Sequence, residues 1–364
     1  MKKKLPDLIL LFTILTLVVV GLVMILSASS VKAEKDFGDS FYFFKKQLQY
    51  LAVGLLLSAV LYKLKYKKLK DLAPYLLLFS FITLAAVLIP GIGLMAGGSR
   101  RWLPLGPISF QPSELAKFII IIYLAAYIDH NKEKMGSLKH GILPPILVII
   151  TVFVLIILEP DLGTAITLVA IAGSMLFIGG MKLSIFIFSA LFAFASFMFF
   201  IYIEPYRRER LFTFLNPWED PLGSGYHIIQ SLLALGSGGF FGVGAGNSHQ
   251  KFLYLPEPGT DFIFAVLGEE FGLVGTLFII LLYFLIAWRG LKIAARAEDT
   301  FASMLAVGIT GLVVIQALIN MGVVTSLMPV TGITLPLISY GGSSLVINLL
   351  ALTLLLNISR YTED

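Results

Sequence analysis

Apolar residues run along this chain in long blocks, separated by short clusters of Lys, Arg, Gly and Pro. Ten blocks fall near residues 8–30, 47–63, 72–90, 112–128, 142–158, 161–179, 184–203, 261–288, 302–324 and 342–359. Each is long enough to cross a hydrocarbon core of about 30 Å as a helix, the form in which a spanning segment satisfies its own backbone. The pattern predicts an all-α integral membrane protein of about ten transmembrane helices, a single polytopic domain over residues 1–364. A large extracytoplasmic loop, 204–260, separates the seventh span from the eighth. Within it, "YHIIQSLLALGSGGFFGVGAG" is apolar over too few residues to cross, which suits a re-entrant or interfacial segment. No convincing internal repeat appears.

Composition agrees with a lipid solvent. The chain is 58% hydrophobic and only 13% charged, with 29 Phe, which excludes a water-soluble domain. The net charge of +5 reflects basic loops that face one side and anionic headgroups, and points to no nucleic acid. On alternating sides of the ten spans, sixteen Lys and Arg fall with the N-terminus and ten fall opposite. The richer side is expected to be the cytoplasm, with both termini inside. Lys residues, an apolar run and then Ser27-Ala28-Ser29 resemble a secretory signal, but the run is too long for one and reads as an uncleaved anchor. The absence of Cys excludes disulfides, thiol catalysis and thiolate metal ligation.

Polar residues concentrate on the outer side, in 91–113, 204–260 and 325–343. Charge at membrane depth is costly and is a functional candidate by default. Glu114 and Lys117 lie three residues apart on one helical face, where they can pair; a helix capped by Ser113 would explain them equally. In "LEPDLGTA", Glu159 and Asp161 point toward the same face as the long loop, although turn chemistry alone would explain Pro160, Asp161 and Gly163. Arg207, Arg208 and Arg210, with Arg100 and Arg101, break the positive-inside pattern. They are either interfacial anchors or ligands for an anion on the outer face, since Arg suits bidentate phosphate recognition. The glycines of "GSGGFFGVGAGNSHQ" and "SYGGSS" either bring backbone N–H groups to phosphate or permit tight turns and close helix contacts. In "LPEPGTDFIFAVLGEEFG", residues 255–272, Asp261 is either a helix cap or an ionised general base. Glu269 and Glu270, about 12 Å deeper along a helix, are beyond capping and need a buried partner such as Lys117 or a wet cavity.

Three motifs, "RRWLPLGPISFQPSELAK", the run from "YRRERLF" to "TDFIFAVLGEEFGLVG", and "LMPVTGITLPLISYGGSS", closely resemble the SEDS family (shape, elongation, division and sporulation). The likeness spans essentially the whole chain, and "FLNPWEDP" with "GNSHQKFLYLPEP" is closer to its FtsW and SpoVE branch than to RodA. The resemblance implies a peptidoglycan glycosyltransferase that polymerises lipid II on the outer face of the bacterial cytoplasmic membrane. Its partners would be a class B penicillin-binding protein and other proteins of the division or elongation complexes. Mapped onto this chain, the essential acid is Asp261 and the intramembrane polar pair is Glu114 and Lys117. Arg100, Arg101, Arg207, Arg208, Arg210, Gln250, Lys251 and Ser343 are the further substrate-binding candidates, and Glu269 is a buried structural partner. Positive charge must meet the departing diphosphate, with a divalent cation, Mg or Mn, as an optional helper. Relatives often carry His where this chain has Gly259. Two other classes remain open: a lipid II flippase, and a scaffold that recruits a synthase without catalysis.

Overall fold

The computed structural model describes residues 5–96, 99–106, 108–203, 205–252 and 255–362; the side chain of Arg207 lies outside the described set. Three helices begin the chain: α1 (Leu8–Phe37), α2 (Tyr42–Lys63) and α3 (Lys67–Leu88). Asp7 caps the first, its side chain accepting the Leu10 N–H, and Gly38 ends it in the left-handed conformation open to glycine. Then follow α4 (Pro112–His130), α5 (Leu143–Leu158), α6 (Leu162–Ile178), α7 (Leu183–Ile203), α8 (Pro205–Leu215), α9 (Tyr226–Gly238), α10 (Ile263–Ala295), α11 (Thr300–Val324) and α12 (Gly342–Ile358). Every block read from hydropathy coincides with a helix. Among the described residues, seven segments are long and apolar enough to cross a membrane: α1, α3, Leu138–Leu158, α7, α10, α11 and Gly342–Tyr361. α2, α4 and α6 fall outside that set.

Residues 91–113 are not simply loop. β1 (Leu94–Ala96), β2 (Ser99–Leu105) and β3 (Ile108–Phe110) form an antiparallel meander between α3 and α4, with Trp102 opposite Leu94 and Phe110 opposite Leu103. Strands of three residues carry too little alternation to be read from a sequence.

Ion pairs sort the connections into two ends. At one, Arg289 meets Asp7 at 2.5 Å, Lys70 meets Asp129, and Lys67 meets Asp299 at 3.3 Å. At the other, Lys32 meets Glu257 at 2.6 Å and Tyr50 donates to the Ser109 carbonyl at 3.1 Å. α11 and α12 form the most buried centre, while α7 presents Phe188, Leu191, Phe192 and Phe199 outward. Lipid is the solvent that suits such a surface.

α10 is broken. Gly272 has φ 64° and ψ −160°, and a Cβ there would lie 2.4 Å from the Gly242 nitrogen. The tip that follows α9 occupies the gap: Val243 and Gly244 donate to the Glu269 and Glu270 carbonyls at 3.0 and 3.1 Å, and the Gly239 carbonyl accepts from Leu273 at 2.9 Å. Backbone groups freed by the break are thereby satisfied, as irregular backbone at membrane depth requires. The glycines serve close approach: a Cβ on Gly238 would meet the Gly268 carbonyl oxygen at 2.0 Å.

Candidate active site

On the end that carries the meander, a cavity of about 430 Å³ is lined by Glu209 and Arg210 of α8, Ser224, His227 of α9, Glu257, Asp261, Val330 and Gly332. Asp261 does not cap α10, whose N-cap position is Phe262 with no side-chain bond. Burial in the cavity wall pushes its carboxyl up to about 6; Glu257 and Asp161 push the same way, and Arg210 and Arg101 oppose them. Such a group takes a proton efficiently near neutrality. His227, with its ring centroid 5.9 Å from that of Phe262, is held below the usual histidine range by burial and by Arg210. It therefore stays neutral near pH 7.

The arginines separate. Arg210 reaches into the cavity and donates to the Val330 carbonyl at 3.3 Å. Arg208 is exposed, over the Tyr202 ring at 5.7 Å. Arg101 donates to the Glu159 carbonyl at 2.9 Å and to that of Pro160, which pins the 159–161 turn beside the site. Arg100 precedes it on β2, opposite Met95, so its side chain leaves the other face of the strand.

Glu114 and Lys117 form a buried pair at 2.7 Å. Gln316 accepts from Lys117 at 3.3 Å and donates to the Thr334 carbonyl at 3.1 Å, linking α4, α11 and the 325–341 loop below the cavity. The capping role expected for Ser113 is not found: Gln111 holds the N-cap position and donates to the Ser113 hydroxyl at 3.1 Å and to Asp161 at 3.1 Å. Pro112 starts the helix two residues earlier than a Ser113 cap allows. Asp161 does cap α6, accepting the Thr164 N–H at 3.1 Å.

Glu269 accepts from the Ser248 hydroxyl and from the His249 and Gln250 N–H groups, the backbone pair at 2.9 and 3.3 Å. Glu270 pairs with Lys251 at 3.0 Å and accepts from Ser27 at 2.5 Å. Lys117 therefore pairs with neither. Lys251 also donates to the Ser27 hydroxyl at 3.0 Å and to the Gly246 carbonyl at 2.6 Å, so its ammonium ties its own loop to α1 and α10 and does not line the cavity. Gln250 belongs to the same loop, and Ser343 accepts the Gln111 N–H at 2.9 Å. Neither lines the cavity.

Glu209 and His227 line the site without having been singled out in the sequence. The signal was faint: each sits beside a noticed motif, one inside "RRER" and one opening the short apolar run. Among the described residues no group of three or more His, Asp or Glu is arranged to hold a metal ion.

A helical membrane protein with a broken helix and an acid–arginine cavity at one end is the class that the fold and site define. The FtsW/RodA/SpoVE family of cell cycle proteins matches residues 7–364. Stage V sporulation protein E of Bacillus subtilis is 45% identical over 362 residues, covering 100% of this chain and 99% of that protein. The probable peptidoglycan glycosyltransferase FtsW of Trichlorobacter lovleyi is 44% identical over 353 residues, with 97% and 93% covered. Among solved structures, one of a peptidoglycan synthase complex that coordinates polymerization and crosslinking matches with TM-score 0.81 at 32% identity, covering 98% of this chain and 99% of that one. The rod shape determining protein RodA of Thermus thermophilus matches at TM-score 0.72 and 30% identity, with 98% of each chain covered. The chain belongs to the FtsW/RodA/SpoVE family.

Proposed function

We propose that the protein is a peptidoglycan glycosyltransferase that polymerises lipid II on the outer face of the bacterial cytoplasmic membrane, with Asp261 as general base. The observation that carries this reading is the placement of Asp261 beside Arg210 in one cavity, open at the end opposite the Asp7–Arg289 pair. A sugar hydroxyl of one substrate gives its proton to the Asp261 carboxylate while its oxygen forms a bond to the anomeric carbon of another. The bond from that carbon to the diphosphate oxygen breaks, and the electron pair leaves with the lipid diphosphate. Arg210 is the cavity cation placed to meet that charge. No step is assigned to a divalent cation.

The cavity is of a size that holds the reacting sugars rather than the whole lipid, so the polyprenyl tail would lie along the bundle. The end that bears Asp7 would face the cytoplasm, since Lys63, Lys65, Lys67, Lys68 and Lys70 gather there. The name of the homologous complex supports a class B penicillin-binding protein as partner, alongside division or elongation proteins. A flippase reading draws on a second cavity of about 460 Å³ at the opposite end, lined by Lys132, Glu298 and Asp299, although α11 stays buried between the two. Purified lipid II, supplied to the protein with its penicillin-binding partner, tests the proposal. Loss of glycan product in Asp261→Asn and Asp261→Ala, with partner binding retained, is expected; normal polymer from both sinks it.

A further inference from the structure

We propose that Asn320 is a positioning residue for Asp261, its side-chain amide tying together the two backbone segments that flank the carboxylate. The inference rests on the reading of Asp261 as base. Asn320 lies inside α11 and is 1% exposed, where an amide is costly unless its hydrogens are used. Both are used. Nδ2 donates to the Asp261 carbonyl at 2.8 Å and to the Ile333 carbonyl at 2.7 Å. Because both partners are carbonyl oxygens, only the nitrogen can face them, which settles the orientation of the amide.

The two carbonyls belong to segments that meet nowhere along the chain: 259–261, leading into α10, and 330–334, following α11. Gly332 adjoins Ile333, and a methyl group on it would lie 3.7 Å from Asp261 Oδ2. The two preceding carbonyls are gripped as well. Ser339 donates to Thr260 at 2.6 Å, and the Tyr340 N–H donates to Gly259 at 2.8 Å. Ser339 in turn accepts the Leu335 N–H at 2.8 Å. The Asp261 carboxylate itself accepts no hydrogen bond among the described residues. Its place is therefore set through its backbone, and the clamp at Asp261 itself also holds the opposite wall at Ile333. A base loses effect when its distance to the reacting hydroxyl drifts.

The test compares Asn320→Leu, which keeps volume but removes the donors, with Asn320→Ala and the conservative Asn320→Gln, in the complex with the penicillin-binding partner. The Leu and Ala variants are expected to lower kcat on lipid II by roughly ten- to a hundredfold, to leave KM within about twofold, and to move the acid limb of the kcat–pH profile. The Gln variant should recover part of the loss. Wild-type kcat in the Leu and Ala variants overturns the proposal, as does a loss expressed in KM with an unmoved acid limb. If neither accumulates folded, the acid limb of Asn320→Gln decides: displaced, it supports the clamp, and unmoved, it overturns it. Asp261→Asn is assayed alongside. Normal polymer from that variant defeats the base reading, whereas an inactive Asp261→Asn beside a normal Asn320→Leu defeats the positioning inference alone.

Discussion

Lys117 Nζ lies 2.7 Å from Glu114 Oε1 on the next turn of α4, and both side chains are buried. Two charges so far from water persist only together, because removing one leaves the other unpaired. Lys117→Ala is expected to destabilise the protein by about 3–5 kcal/mol, while Lys117→Met combined with Glu114→Gln should cost much less. Thermal unfolding of the detergent-solubilised protein across the double-mutant cycle reads the difference.

The acid limb of polymerisation should report Asp261. Its carboxyl is raised to about 6, and the base must be ionised, so kcat is expected to fall as pH drops through about 6 and to level off above it. Glu257, Glu209, Asp161, Arg101, Arg210 and His227 surround it. Removing the negative charge of Glu257 in Glu257→Gln should move the limb to lower pH, and an unmoved limb would show that another group titrates there.

Asp261 also carries a stability cost. A carboxyl raised from 3.8 to about 6 binds its proton more tightly in the folded state, so its stabilising effect is complete at low pH and is lost as pH rises through 6. Asp261→Asn is therefore expected to melt no lower than wild type at pH 7.5, and higher if the cavity stays dry. A lower melting temperature would assign the side chain a structural role.

Glu159 is fully buried, and burial, helped by Asp161 and opposed by Arg101 and the Ser113 hydroxyl, raises it to about 9. It is neutral at physiological pH. The same linkage makes wild-type stability decline between about 4.5 and 9. Glu159→Gln should flatten that decline, and melting curves at pH 5.5 and 8.5 measure it.

Gly272 should tolerate no side chain. A Cβ meets the Gly242 nitrogen at 2.4 Å and the backbone φ is +64°, so Gly272→Ala must displace the 239–244 tip. Loss of folded protein in the membrane is expected, with Gly242→Ala, whose Cβ would lie 2.1 Å from the Glu270 carbonyl oxygen, behaving alike. Gly236→Ala, where nothing lies within 4 Å, is the matched control.

Much of the architecture was legible because hydropathy is a property of each segment by itself. The helix at 300–324 follows from it to within two residues and the one at 8–37 up to its charged end past residue 30, as does the shortness of the helix at 226–238. The meander at 94–110 was not legible, since β1 and β3 are too short to show a period and β2, SRRWLPL, does not alternate. Of the site, Asp261 and Arg210 stood out as charges against an apolar or outward-facing background. Glu209 and His227 did not, because an acid within "RRER" and a lone histidine look like ordinary surface.

From the sequence alone came the solvent, the helical class, the family and the set of charges that need an explanation, all of which local composition and motif carry. The tertiary structure decided which partner each charge has. Glu269 binds the 248–250 loop, Glu270 binds Lys251, Lys117 binds Glu114, and Arg208 and Arg210 point to different places from opposite faces of a single turn of one helix. The reason is physical: the cost of burying an ion is set by its own chemistry, whereas the relief depends on which distant part of the chain folds against it.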